Sequence, residues 1–195
     1  MNNLRHLITV FLSIVVLSAC GTTAPNRFYL LTPESNNSVP TEKVNLNIGV
    51  GPMKFPQYLN RSQMFVTTEQ NQLLLNEADR WAEPVDDGFK RVLAANLGNT
   101  LNGANANLYP WKHHEKVDYQ VMATIYRFET TTSKETILHV YWQLLHQDKK
   151  VSEATQKYTT TAVSLNYSDI AKAHSTLISQ FATTISEAIT SQQNK

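Results

Sequence analysis

The chain has 195 residues, 42% hydrophobic and only 17% charged, which is enough apolar material for one core of ordinary size. Its 17 basic and 16 acidic residues nearly cancel and form no basic block or stripe, which argues against a nucleic-acid partner. The single cysteine, Cys20, excludes an internal disulfide and leaves that thiol a chemical or intermolecular role.

Residues 1–6 supply Arg5 and the free amine, a short basic start. Residues 7–17 (LITVFLSIVVL) form an apolar run. It is shorter than the roughly 20 residues that cross a bilayer, and it fits the hydrophobic region of an export signal. Leu17-Ser18-Ala19-Cys20 then matches the bacterial lipobox. Small residues before the cysteine give the processing enzymes access to the backbone, and the thiol takes a thioether-linked diacylglycerol. Cleavage before Cys20 frees an amine for a further acyl chain. A buried methylene contributes about 0.8 kcal/mol and one chain binds only marginally, so two or three chains make a lasting anchor. The expected layout is a signal peptide at 1–19, a lipidated N-terminus and tether at 20–26, and one domain at 27–195. No cofactor is expected beyond the covalent diacylglycerol and N-acyl chain on Cys20. Gly21 follows the cysteine where enteric-type sorting uses Asp to retain a lipoprotein in the inner membrane. It therefore points to the outer membrane, with the domain facing the periplasm. The seven residues from Cys20 reach at most roughly 25 Å, so the domain sits close to the bilayer.

In the mature chain, residues 27–31 (RFYLL) read as a first strand and 34–43 as a polar loop. Residues 44–50 alternate Val44, Leu46, Ile48 and Val50 against Asn45 and Asn47, the pattern of a half-buried strand. Gly51-Pro52 is expected to end it, and 51–62 to form a long loop. Two short strands are expected at 64–68 and 72–76, with 77–83 leading into a helix at 84–101. Pro84 suits the first helical turn, and Asp86 and Asp87 suit the positive end of the helix dipole. Phe89, Val92, Leu93, Leu97 and Leu101 make its apolar stripe.

Residues 117–128, 136–146 and 154–165 read as three successive strands joined by polar turns, an antiparallel meander. A last helix spans 168–190, with Asn166 or Ser168 as its cap. Its stripe is Ile170, Ala173, Leu177, Ile178, Phe181, Ile185 and Ile189. The fold class expected is α+β: a two-layer sandwich of one mainly antiparallel sheet with two amphipathic helices on one face.

Chemical motifs are sparse. Residues 113–115 (HHE) read as a solvated loop, because adjacent side chains of an extended segment point opposite ways and spaced ligand pairs are absent. No metal site and no catalytic residue is assigned. Glu83, Asp86 and Asp87 read as helix-start charges, although an envelope hydrolase using them with a histidine is a rival. His174 reads as a core or boundary histidine with a satisfied hydrogen bond. The loop around Met53, Phe55, Tyr58 and Leu59, flanked by Lys54 and Arg61, has two open readings. It either folds back on the core or forms a contact surface.

Several stretches together resemble the PqiC-type (YmbA-like) family, the auxiliary lipoproteins of lipid-trafficking transport systems. They are Arg27-Phe28-Tyr29-Leu30-Leu31, Val50-Gly51-Pro52, Pro56-Gln57-Tyr58-Leu59-Asn60-Arg61, and Arg80-Trp81-Ala82-Glu83-Pro84 running on to Gly88-Phe89. Tyr141-Trp142-Gln143-Leu144 continues the likeness. Family members often carry Asp-Arg-Pro where this chain has Asn60-Arg61-Ser62, so no ion pair is assigned beside Arg61. The resemblance implies a non-enzymatic subunit that docks an MCE-domain tunnel protein, together with its inner-membrane partner, at the outer membrane. It also implies self-association into a ring. Tyr58, Leu59, Arg61, Arg80 and Trp81 are the expected interface or fold-defining positions. A stand-alone lipid- or ligand-binding lipoprotein is the alternative, and it requires an apolar pocket of at least roughly 300 Å³.

Overall fold

The computed structural model describes residues 25–34, 44–111 and 116–194. Cys20 and residues 113–115 lie outside them. In chain order the elements are β1 (Arg27–Tyr29), β2 (Asn47–Lys54), a 3-10 turn (Gln57–Leu59), β3 (Gln63–Thr67) and β4 (Leu73–Trp81). Next come α1 (Val85–Thr100), β5 (Asn105–Leu108), β6 (Tyr119–Thr130), β7 (Glu135–His146), β8 (Lys149–Thr161) and α2 (Tyr167–Gln193).

The α+β class holds, but the strands divide between two mixed sheets instead of one. A five-stranded sheet runs β5-β2-β6-β7-β8, and a three-stranded sheet runs β1-β4-β3. In the larger sheet β5, β2 and β6 are parallel neighbours. The expected antiparallel meander is β6-β7-β8. In the smaller sheet β1 is parallel and β3 antiparallel to β4. The sheets meet where Thr67 bridges Thr131 and the Thr132 N–H donates to the Thr67 carbonyl at 3.0 Å.

The core lies between the larger sheet and both helices, which pack on each other and on one face of it. Val121, Ala123 and Ile125 of β6 and Leu138, Val140, Trp142 and Leu144 of β7 supply the sheet side, as the alternation predicts. A bulge between Ile125 and Arg127 shifts the phase of β6, returning Phe128 to the core side and leaving Tyr126 exposed. The α1 stripe from Phe89 to Leu101 and the α2 stripe from Ile170 to Ile189 are buried as expected. In α2, Ser175 and Ser186 return their hydroxyls to the carbonyls of Ala171 and Ala182 at 2.9 and 2.8 Å, so small polar residues sit satisfied in the core.

Other boundaries differ for physical reasons. Gly51-Pro52 does not stop β2; the strand bulges there and resumes its pairing with β6 at Met53. Gly51 has φ of 114°, and a Cβ there would sit 2.9 Å from that of Tyr109. β4 continues to Trp81 instead of leading into a helix from residue 77, and β8 begins at Lys149 rather than 154. β5 is a short strand with no apolar alternation to announce it. Asn166 occupies the cap position of α2 without a side-chain bond. Ser164 binds the chain instead, accepting from the Asn166 N–H at 3.0 Å and donating to Asp169 at 2.6 Å.

Candidate functional site

Two of the stretches that carry the resemblance, 56–61 with the following Ser62 and 80–84, are brought side by side at one end of the three-stranded sheet. The Trp81 N–H donates to the Ser62 carbonyl at 2.7 Å, and Arg80 Nη1 donates to Ser62 Oγ at 3.0 Å. Between them lies an open groove of about 400 Å³, lined by residues 59–62 on one side and 81–86 on the other. It adjoins a second depression of about 230 Å³ lined by Met53, Phe55, Pro56 and Gln57, with Leu59, Asn60 and Asp86 common to both.

The five positions expected at an interface or in fold definition take different parts here. Leu59 is buried in the core. Tyr58 packs edge-on against Phe65, with ring centroids 6.0 Å apart, and burial pushes its hydroxyl above the usual tyrosine range. Phe55 packs edge-on against Phe89 at 5.4 Å. Of the two open readings of this loop, folding back on the core therefore accounts for its aromatic side chains. Trp81 is buried, edge-on to His174 at 5.8 Å. Arg80 is tied down, its Nε donating to the Glu77 carbonyl at 3.1 Å. Arg61 differs. Its Nε donates to the Tyr58 carbonyl at 2.8 Å, and its terminal nitrogens have no carboxylate partner among the described residues. The arginine is thus oriented by its own turn while its charge faces the groove rim.

The acidic residues have structural employment. Asp86 and Asp87 accept from Lys90 at 3.2 and 2.7 Å across the first turn of α1. Glu83 pairs with Arg91, which also donates from Nη2 to the Leu31 carbonyl at 2.9 Å. Gly88 leaves room beside this clasp: a Cβ there would stand 3.0 Å from the Glu83 carboxylate, a tight contact. The Glu-Pro…Gly-Phe spacing thus folds the groove wall over the helix start. The Glu83–Arg91 pair was not legible beforehand, since eight residues is not a helical neighbour spacing and Glu83 precedes the helix.

Two further residues brace the site: Asp79, which the sequence did not single out, and His174, which it read as a core or boundary histidine. Asp79, wholly buried, accepts both Nε and Nη2 of Arg27 at 2.7 Å and the Tyr29 hydroxyl at 2.8 Å. The Arg27 hydrogen bond holds its carboxyl below the usual range. His174 is a buried core histidine, its Nδ1 bonded to the Ile170 carbonyl at 2.9 Å and its ring edge-on to Phe128 at 4.5 Å. Burial lowers its pKa to about 4, so it is neutral at physiological pH. Among the described residues no three His, Cys, Asp or Glu side chains are grouped to hold a metal, and no helix is long and apolar enough to cross a membrane.

The model of the ABC-type transport auxiliary lipoprotein component family matches residues 29–186. The chain belongs to this family. The match spans both walls of the groove in the auxiliary lipoprotein, and the family is one of transport auxiliary components. The fold of this auxiliary lipoprotein is similar to that of an uncharacterized protein, with TM-score 0.70 and 18% identity over 85% of this chain and 99% of the other. It is similar also to that of protein XCC0632 from Xanthomonas campestris, with TM-score 0.67 and 18% identity over 86% of this chain and 98% of the other. No curated protein matches the sequence.

Proposed function

We infer that this auxiliary lipoprotein is a non-enzymatic subunit of an MCE-type lipid transport system. It is held on the outer membrane through diacylglycerol and N-acyl chains on Cys20, faces the periplasm, and docks the trans-envelope tunnel, supporting membrane integrity. The MCE-domain protein, with its inner-membrane partner, is the docking target, and the working form is a ring of identical copies. The observation that carries this reading is the groove. It is built from two of the stretches that carry the resemblance, Leu59, Trp81 and Val85 line it, and Arg61 stands at its rim. Arginine beside an apolar floor is a common anchor of protein interfaces.

The stand-alone lipid-binding alternative needs an apolar pocket of at least roughly 300 Å³ between the helices and the sheet. Among the described residues, the space bounded by Leu59, Met64, Phe65, Trp81, Phe128, Ile170 and His174 amounts to only about 10 Å³. That is far below the roughly 300 Å³ of a small-molecule site. The larger depressions are open to solvent, which weighs against retention of an acyl chain.

Crosslinking and pull-down from cell envelopes tests the proposal. An MCE-domain protein is expected with the wild-type chain and is expected to be depleted with Arg61→Glu. A wild-type chain that captures no MCE-domain protein ends this reading.

A further inference from the structure

We propose that the end of the molecule formed by the β3–β4 hairpin and the loop before α2 lies against the lipid bilayer, with Leu74, Leu75, Val163 and Leu165 entering its headgroup region. The proposal rests on the anchor at Cys20 proposed above.

These four side chains are 48%, 44%, 81% and 41% exposed, although each is aliphatic. They come from segments nearly ninety positions apart, roughly counted, yet backbone pairing gathers them. Leu73 pairs with Thr67 next to the turn of the hairpin, and Thr67 bridges Thr131 in the β6–β7 connection. The Ala162 N–H donates to the Lys134 carbonyl at 2.9 Å, placing the 162–166 loop beside that same connection. The hairpin, the β6–β7 turn and the loop thus form one end of the protein.

The direction of the chain selects lipid as the occupant. β1 is parallel to β4, with Arg27 opposite Asp79, so the chain enters β1 from the side of Leu74 and Leu75. Leu75 lies four positions before Asp79, roughly 13 Å along the strand. The tether from Cys20 reaches at most roughly 25 Å. The acyl chains are therefore delivered within reach of this apolar end. Its rim carries Gln70, Asn71, Thr132, Ser133 and Asn166, whose amides and hydroxyls suit headgroups, with one acidic and one basic residue, Glu69 and Lys134, exposed in the same two turns. Four aliphatic side chains orient a domain that acyl chains already hold; they do not anchor it alone.

Cys20 being the one cysteine makes the test specific. Full-length, processed protein carrying Val163→Cys, Leu74→Cys or Lys149→Cys is labelled with an environment-sensitive fluorophore. It is then reconstituted into phosphatidylethanolamine–phosphatidylglycerol vesicles containing nitroxide-labelled lipid. Position 149 opens β8, whose far end at Thr161 adjoins the loop, so it lies roughly 40 Å away. Blue-shifted, quenched emission is expected at 163 and 74 and neither effect at 149. Unquenched emission at 163 and 74 from protein that floats with the vesicles overturns the bilayer contact and leaves the anchor standing. A blue shift without lipid quenching that grows with protein density overturns it in favour of contact between copies. Label uptake by the parent chain shows a free Cys20 thiol, which removes the anchor and the proposal resting on it.

Discussion

The five-stranded and three-stranded sheets are built on opposite principles. The larger buries one whole face under two helices, so its residues answer mainly to packing. The smaller gives the core Met64, Phe65 and Val66 of β3 and Trp81 of β4, but its β1 is held by polar bonds such as Arg27–Asp79, and it carries a groove at its Trp81 end and exposed leucines at its Leu74 end. The difference sets apart the two surfaces proposed above, both of which fall on the smaller sheet. The large sheet supplies rigidity, and the small one, lying at its flank, has surfaces to spare.

The comparison is broken most severely at the large sheet. Leu93→Asp places an unpaired charge in the core and is expected to cost about 4 kcal/mol or more, unfolding the domain. A cooperative melt like wild type would show that α1 does not face the sheet as described.

At the junction of the sheets, His174 touches Trp81 on one side and Phe128 on the other. Its folded pKa, about 4, lies below its ordinary value of 6.5. As pH falls below about 6.5 the unfolded chain takes the proton first, so stability drops through that window and levels off below about 4, by about 3 kcal/mol in all. His174→Gln is expected to flatten that slope in denaturant titrations across pH 4 to 7. A slope unchanged by the substitution would assign the dependence to other groups.

Asp79→Asn sharpens the comparison on the small sheet. Its carboxylate has a depressed pKa, so the stability it contributes is present above the ordinary aspartate range and fades as pH falls toward the folded value. The amide is expected to lower Tm by a few degrees. Faster hydrogen exchange should be confined to the Ala82 N–H, which bonds the Tyr29 carbonyl, while β6 amides keep their protection. Equal loss in both sheets would show that they do not open separately.

The smallest effects on stability belong to the surface. Arg61→Glu is expected to leave Tm unchanged while depleting the crosslinked partner. Cys20→Ser is expected to leave Tm unchanged while moving the protein from the membrane fraction to the soluble one, read by fractionation and mass spectrometry.

The periodic elements were legible because their patterns are local. The stripes of α1 and α2 and the alternation of β6 and β7 each follow from burying one face. The smaller sheet was obscure because its determinants are distant. Asp79 looks like a solvated charge until Arg27, fifty-two positions earlier, is set beside it. That is why 77–83 read as an approach to a helix and not as strand. The division into two sheets was hidden too, since a strand's alternation is the same whichever neighbour it pairs with. At the site, the motif residues stood out by resemblance, but their division of labour did not. Local sequence does not reveal that Tyr58 and Trp81 turn inward while Arg61 is left at the rim.

The parallel pairing of β1 with β4 has a mechanical consequence. Tension on the chain before Arg27 acts along the axis of β1, sliding it past its neighbour and not peeling it away. The ladder bonds and the Arg27–Asp79 fork share such a load together instead of failing one by one, so this three-residue strand is oriented to bear a pull.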